Sequence, residues 1–215
     1  AAEPELTVTE YPADARNRIV ELVFSYPASR QELQEMQQDV RESLAAAEVY
    51  VRYCTSETEK AALLFTYLAE RFPYQQGDSR TPVYSALCQG VANSKSMAQS
   101  WQLLCDEAGL SCRTVSGLRG GEAYWWNIVT LDGVSCHVDV LRDLLDGSTL
   151  RLRYDEDMAG GYYWDAEDVP ACPAPVPEEE EPEAPAPTED QPASEDPAED
   201  PAETPEAQPT EPETP

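Results

Sequence analysis

Two stretches near the start of the chain, ELTVTEY from Glu5 and RNRIVELVFSYP from Arg16, alternate apolar with polar residues and are rich in β-branched side chains, which predicts two early strands. The period then lengthens. From Ser29, SRQELQEMQQDVRESLAAAEVYV carries apolar residues at helical spacing and opens on Ser29 and Glu32, a capping box in which each side chain takes one backbone N–H. Ser56 with Glu59 repeats that signature at the head of SETEKAALLFTYLAERF, where Ala62, Phe65, Leu68 and Ala69 make one stripe before Pro73 ends the helix. A third helix, NSKSMAQSWQLLCDEAGLSC, puts Met97, Trp101, Leu104 and Ala108 on one face; Asn93 or Ser94 caps its start and Gly109 its end.

Strands follow. RTVSG, the hairpin AYWWNIVTLDGVSCHVDV and TLRLRY all read as extended chain. Asp132-Gly133 is a two-residue turn of the kind that matches strand twist, and a polar face is expected on the hairpin's apolar first strand. That turn sets the register: Leu131 faces Val134, His137 faces Ile128, and Asp139 lies opposite Trp126 and diagonal to Tyr124. Neighbours in a strand face opposite ways, so at least one of Trp125 and Trp126 belongs to the core. Two helices, a buried central helix and successive strands make an α+β domain.

Composition divides the chain. Pro173 to Pro215 holds 13 of the 19 prolines and 15 of the 42 acids, with no Lys, Arg, aromatic or Cys. Such a segment cannot bury enough apolar surface to offset its ordering entropy and is expected to be a disordered acidic Pro-rich tail. Residues 1–55 are read as N-terminal strands and a helix packed on the core, and 56–172 as the main domain. The net charge of −28 argues against nucleic acid, whose phosphates need Lys and Arg, and no apolar run is long enough for membrane insertion. The chain opens AAEPELTV with no initiating Met, as a mature secreted chain would, and the tail resembles an extracellular spacer, so a secreted or cell-surface location is expected.

Six cysteines (Cys54, Cys88, Cys105, Cys112, Cys136 and Cys172) permit three disulfides in 15 pairings, and serve equally as small buried hydrophobes. No CxxC or Cys/His cluster has zinc spacing, and His137 is the sole histidine; no metal or cofactor is expected. YDEDM lacks calcium-loop spacing and reads as a solvated turn, while GLRGGEAY opens no helix and is a loop rather than a phosphate cradle.

From Ala86 to Leu110, ALCQGVANSKSMAQSWQLLCDEAGL resembles the nucleophile helix of the transglutaminase-like (papain-like) domains of bacterial secreted proteins. That family's further signatures, a strand His-x-Trp-Asn and a strand ending Val-Asp, are matched by YWWN at Tyr124–Asn127 and HVD at His137–Asp139, and YDEDMAGGYYWDAEDVPAC looks like its closing segment. The resemblance covers 56–172 and implies a papain-like core, a central buried helix packed on an antiparallel sheet. It also implies a Cys-His-Asp triad, and here the departures matter. The nucleophile's position holds Ser94, the base's holds Tyr124, and only the acid, Asp139, is kept; His137 lies on the wrong strand to replace the base. Cys88, six residues before Ser94, falls on a linker and is read as structural.

A serine hydroxyl needs a base poised near neutral pH, and tyrosine, with an ordinary pKa of about 10, is a proton donor there. Ser94, Tyr124 and Asp139 are therefore expected to form a hydrogen-bonded chain, a degenerate triad without catalysis. Ser94 reads first as a helix cap. Ser94, Tyr124, Trp125, Trp126 and Asp139 are the candidate ligand-binding residues of a domain that holds an extracellular peptide, glycan or protein in its former cleft. The alternative is a weak or atypical hydrolase or acyltransferase using Ser94 or a nucleophile elsewhere.

Overall fold

A computed structural model describes residues 2–12 and 18–175, and the tail beyond 175 lies outside the described residues. Two antiparallel strands come first, β1 (Glu5–Pro12) and β2 (Arg18–Ser25). Three helices build one side of the core: α1 (Arg30–Val51), α2 (Glu57–Arg71) and, after the short α3 (Pro82–Tyr84) and a π-helical turn at Ser85–Gln89, α4 (Ser94–Glu107). Between them, β3 (Gln75–Gln76) and β4 (Val91–Ala92) pair in parallel. The main sheet runs β7-β6-β5-β8, all antiparallel, from β5 (Ser111–Arg119), β6 (Glu122–Leu131), β7 (Val134–Val138) and β8 (Tyr162–Trp164). The short helices α5 (Val140–Leu145) and α6 (Asp155–Met158) complete a mixed helix-and-sheet fold. Among the described residues, no helix is long and apolar enough to cross a membrane.

Strand β6 explains the layering. Far from having a polar face, YWWNIVTL is apolar on both, because both are covered. Asn127, Val129 and Leu131 face α4, whose Met97, Trp101, Leu104 and Cys105 are buried with Leu64 and Leu68 of α2 and Ala47 of α1. Trp126 and Ile128 face the other way and pack with Val115, Met158, Tyr162 and Cys172. Gly117 on β5 is required by that second core, since a methyl there would run into the Trp126 ring and the Tyr163 carbonyl.

The register follows the turn. Leu131 pairs with Val134, Ile128 with His137 and Asn127 with Val138, and Asp132 and Gly133 take the positive φ angles of 51° and 86° that a tight hairpin turn of this kind needs. Asp132 does more than turn the chain. Its carboxylate accepts from the Ser56 and Thr58 hydroxyls and from the Glu57 and Thr58 N–H groups, so it caps α2 from across the fold, and these donors hold its pKa down to about 2. Ser56 still accepts from the Glu59 N–H, but Asp132 supplants the reciprocal box expected there; at Ser29 and Glu32 the box is complete.

Several expectations are corrected. The buried stripe of α2 runs through Ala61, Leu64, Phe65 and Leu68, one position round from Ala62 and Ala69, which are exposed. TLRLRY forms no strand beyond a single bridge from Arg153 to His137. Its arginines are instead drawn to Asp143, fully buried, which ion-pairs with both Arg151 and Arg153. Of residues 1–55, α1 and Cys54 just after it join the core. Every residue of β1 and β2 except Thr9 is exposed; the Arg80 side chain donates to the Ser25 carbonyl and the Glu3 N–H donates to the Arg80 carbonyl, which ties this segment to the domain.

Candidate functional site

Ser94 is the first residue of α4 but not its cap. Asn93 caps the helix, accepting the Ser96 N–H at 2.8 Å while Ser96 Oγ accepts the Asn93 N–H at 2.9 Å. This frees the Ser94 hydroxyl from capping, and among the described residues it makes no hydrogen bond. It lines a cavity of about 360 Å³ together with Asn93, Asp78, Arg119, Glu122, Tyr124 and Trp125. Ser94 and Trp125 also line, with Asn127 and Asp139, a narrow gap too small for water. Asn127 fixes the helix against the sheet, its Nδ2 donating to the Ala98 carbonyl at 3.0 Å.

Tyr124 and Asp139 meet as the register requires. The Tyr124 hydroxyl donates to Asp139 Oδ1 at 3.1 Å. The rest of the arrangement was not foreseen. Asp139 is 2% exposed and lies one residue past β7, where it caps α5 by accepting the Arg142 N–H at 3.2 Å. Its Oδ2 accepts from Tyr162 at 2.7 Å. The hydrogen-bonded chain is thus Tyr124–Asp139–Tyr162, and Ser94 stands outside it. Burial and the Asp139 charge both push the Tyr124 and Tyr162 hydroxyls above the usual phenol range. The Arg119 guanidinium lies over both rings, 5.1 Å from the Tyr124 centroid and 5.5 Å from that of Tyr162.

The two tryptophans divide as alternation demands. Trp125 is half-buried at the cavity wall, while Trp126 is 1% exposed in the second core, which removes it from any ligand surface. Asp139 is likewise enclosed, its carboxylate occupied by three donors. Of the five candidate binding residues, Ser94, Tyr124 and Trp125 reach the cavity.

A second polar chain lies behind Trp126. Its indole N–H donates to His137 Nδ1 at 3.0 Å, and His137 Nε2 lies 3.0 Å from Asp155 Oδ1. An accepting Nδ1 makes Nε2 the protonated nitrogen, so it donates to Asp155. Burial lowers the His137 pKa, an effect that Asp155 opposes. Asp155 also accepts the Cys172 N–H at 2.9 Å, so YDEDM is a docked helical turn, not a solvated one. His137, Asp155 and Cys172 could offer three ligand atoms within 4.8 Å of one another. With Nε2 protonated by virtue of the Trp126 bond, however, the ring has no lone pair directed at that group, which therefore serves as a clamp on the closing segment. All six cysteines are free thiols.

Tyr162, Arg119 and Asp155 are the residues that sequence reasoning missed. The aromatic run YYW in the closing segment was the available signal for Tyr162; nothing local marked Arg119.

The chain matches the family model described as the transglutaminase-like superfamily over residues 37–140. The match starts inside α1, earlier than the boundary at 56, because α1 packs on α2 and α4 as part of the core. No curated protein matches. Among solved structures, a transglutaminase ("TGase") is similar over 62% of this chain and 43% of its own, at 9% identity and a TM-score of 0.41. A "putative protease" from Parabacteroides distasonis is similar over 61% of this chain and 35% of its own (14% identity, TM-score 0.38). A "putative cysteine protease" from Cytophaga hutchinsonii is similar over 74% of this chain and 70% of its own (10% identity, TM-score 0.41). The chain thus spans less than half the length of the first two. The family match covers residues 37–140, just under half of the chain, and marks that stretch as a transglutaminase-like domain.

Proposed function

We propose that this transglutaminase-like domain is non-catalytic and uses the cavity at the start of α4 to hold a peptide, a glycan or a protein partner, as part of a secreted or cell-surface protein. One observation carries the reading. The residue at the position of the family's base, Tyr124, donates a hydrogen bond to Asp139, keeps its proton and has its pKa pushed above the phenol range. A base must be unprotonated near neutral pH to activate a serine, and this phenol is a proton donor there. The sole imidazole, His137, is fully buried with both nitrogens engaged. What remains around Ser94 is a cavity with an aromatic wall and polar rim, within the size range of small-ligand sites. The acidic, proline-rich composition beyond residue 172 supports an extracellular setting. The test is to incubate wild type and Ser94→Ala with a casein digest and an amine donor and to follow hydrolysis and cross-linking by mass spectrometry. Neither protein should change the peptides. Turnover by the wild type that disappears in Ser94→Ala would overturn the reading in favour of a serine-dependent hydrolase or acyltransferase.

A further inference from the structure

We infer that the ligand of this cavity is a neutral carbohydrate, an inference that rests on the binding role proposed above and narrows it. The chemistry of the lining is the reason. Asp78, Asn93, Arg119 and Glu122 bring planar polar groups, two carboxylates, an amide and a guanidinium, to one opening beside the Trp125 indole. Groups of this shape engage adjacent hydroxyls in pairs, while the C–H face of a sugar ring lies against an aromatic plane.

Charge excludes the obvious competitors. A phosphate or sulfate would meet Asp78 and Glu122, and a cationic peptide would meet Arg119. Mixed signs around one small cavity favour a ligand that is polar without net charge. An apolar side chain has a better place elsewhere, in the groove of about 500 Å³ lined by Leu33, Met36, Val40, Leu44, Val83 and Leu103.

Most of the polar groups are also held in place before any ligand arrives. Asn93 is fixed from two directions, by its cap to Ser96 and by Nδ2 donating to Asp78 Oδ1 at 2.8 Å. Arg119 is steadied over the Tyr124 ring, which Asp139 anchors in turn. The Glu122 side chain, next to the Gly120-Gly121 turn, makes no hydrogen bond or ion pair among the described residues and is available to a ligand. Binding then costs little side-chain entropy at Asp78, Asn93 and Arg119.

The test titrates the full chain with cellohexaose, maltohexaose, mannohexaose and chitohexaose, reading tryptophan fluorescence and calorimetry, and runs a random peptide pool in parallel. At least one oligosaccharide should bind and perturb the indole emission. Trp125→Ala should weaken that binding at least about tenfold. Glu122→Ala, an exposed turn-side change that leaves the cores untouched, should weaken it as well, which guards against misfolding of the tryptophan variant. Absence of binding by all four sugars at millimolar concentration overturns the carbohydrate assignment, as does sugar binding that survives both substitutions. Peptides that bind and are lost in Trp125→Ala would overturn the carbohydrate while keeping the cleft as a binding site. Turnover dependent on Ser94 would instead defeat the non-catalytic reading beneath it.

Discussion

Asp139 accepts from Tyr124 on one oxygen and from Tyr162 on the other, so a single buried carboxylate joins β6 to β8 across β5 and caps α5 as well. The Asp139 carboxylate thus has a structural role, holding the sheet together. Asp139→Ala strands the Tyr162 hydroxyl, which is only 5% exposed as a residue, and removes the α5 cap. The expected loss is about 2–4 kcal/mol, with Asp139→Asn costing less than half as much because an amide keeps one acceptor. Urea unfolding of the two variants measures this. An alanine variant as stable as wild type would show that the three donors find water instead.

His137 should make stability depend on pH. Its folded pKa lies below the ordinary 6.5 because burial disfavours the imidazolium more than Asp155 favours it. The unfolded chain therefore takes up a proton as the pH falls below about 6.5 while the folded protein still resists. The stabilisation is complete above that pH and declines below it, levelling off once the folded ring protonates. Protonation also places a proton on Nδ1, opposite the Trp126 N–H, and breaks that bond. The urea midpoint should be lower at pH 5 than at pH 7.5, and His137→Gln should shrink the difference. An unchanged difference in that variant would assign the pH effect to other groups.

How far the sequence could be read varies by kind of signal. The hairpin register followed from two residues, Asp132 and Gly133, because a two-residue turn leaves one way to close the ladder. Helices α1, α2 and α4 followed from period and caps. Contacts made over long separations were not legible. Asp132 reaches Ser56 and Thr58 across 76 and 74 residues, and this long-range cap left the local capping box at Ser56 unneeded. The Tyr124–Asp139 pair was within reach of strand geometry, whereas Tyr162 arrives on β8 by way of β5, a neighbour that no local pattern announces. TLRLRY misled for a related reason: its alternation is real, but Asp143 draws the arginines and the ladder stops at one bridge.

Cys105 and Cys112 are the thiols to watch for the compartment question. The Cys105 thiol is pushed well above its usual pKa, first by its neighbour Cys112 and then by burial. A disulfide between them requires loss of two protons and two electrons to an external disulfide such as oxidised glutathione. Peptide mapping after such treatment should show the peptide spanning both residues lighter by two hydrogens, before any other cysteine pair reacts. The same mapping on protein recovered from its native setting bears on export, since an oxidising exterior would leave this bridge formed. Preferential oxidation of a different pair would show that the 105–112 contact does not govern thiol chemistry here.

Restoring the family's residues tests how much of the catalytic frame survives. Ser94 is already at the first turn of α4, and Tyr124 already shares its cavity and bonds Asp139. The double change Ser94→Cys with Tyr124→His therefore rebuilds a Cys-His-Asp set with its acid in place. A helix N-terminus and an imidazolium each stabilise a thiolate, and together they lower the thiol's pKa from about 8.5 toward neutrality. Iodoacetamide in mildly acidic buffer should then label position 94 in the double variant at least about tenfold faster than in Ser94→Cys alone, where only the helix terminus acts. The six native cysteines should lag behind both, because those whose pKa is displaced are all displaced upward, Cys136 to about 11 and Cys172 to about 12. Tyr162 complicates the frame, since it keeps one oxygen of Asp139 occupied and leaves Oδ1 to orient the new imidazole. Adding Tyr162→Phe should thus leave the labelling rate of the double variant nearly unchanged. Equal labelling of the single and double variants would place side chain 124 out of reach of residue 94, and the cavity would then be no relic of a triad.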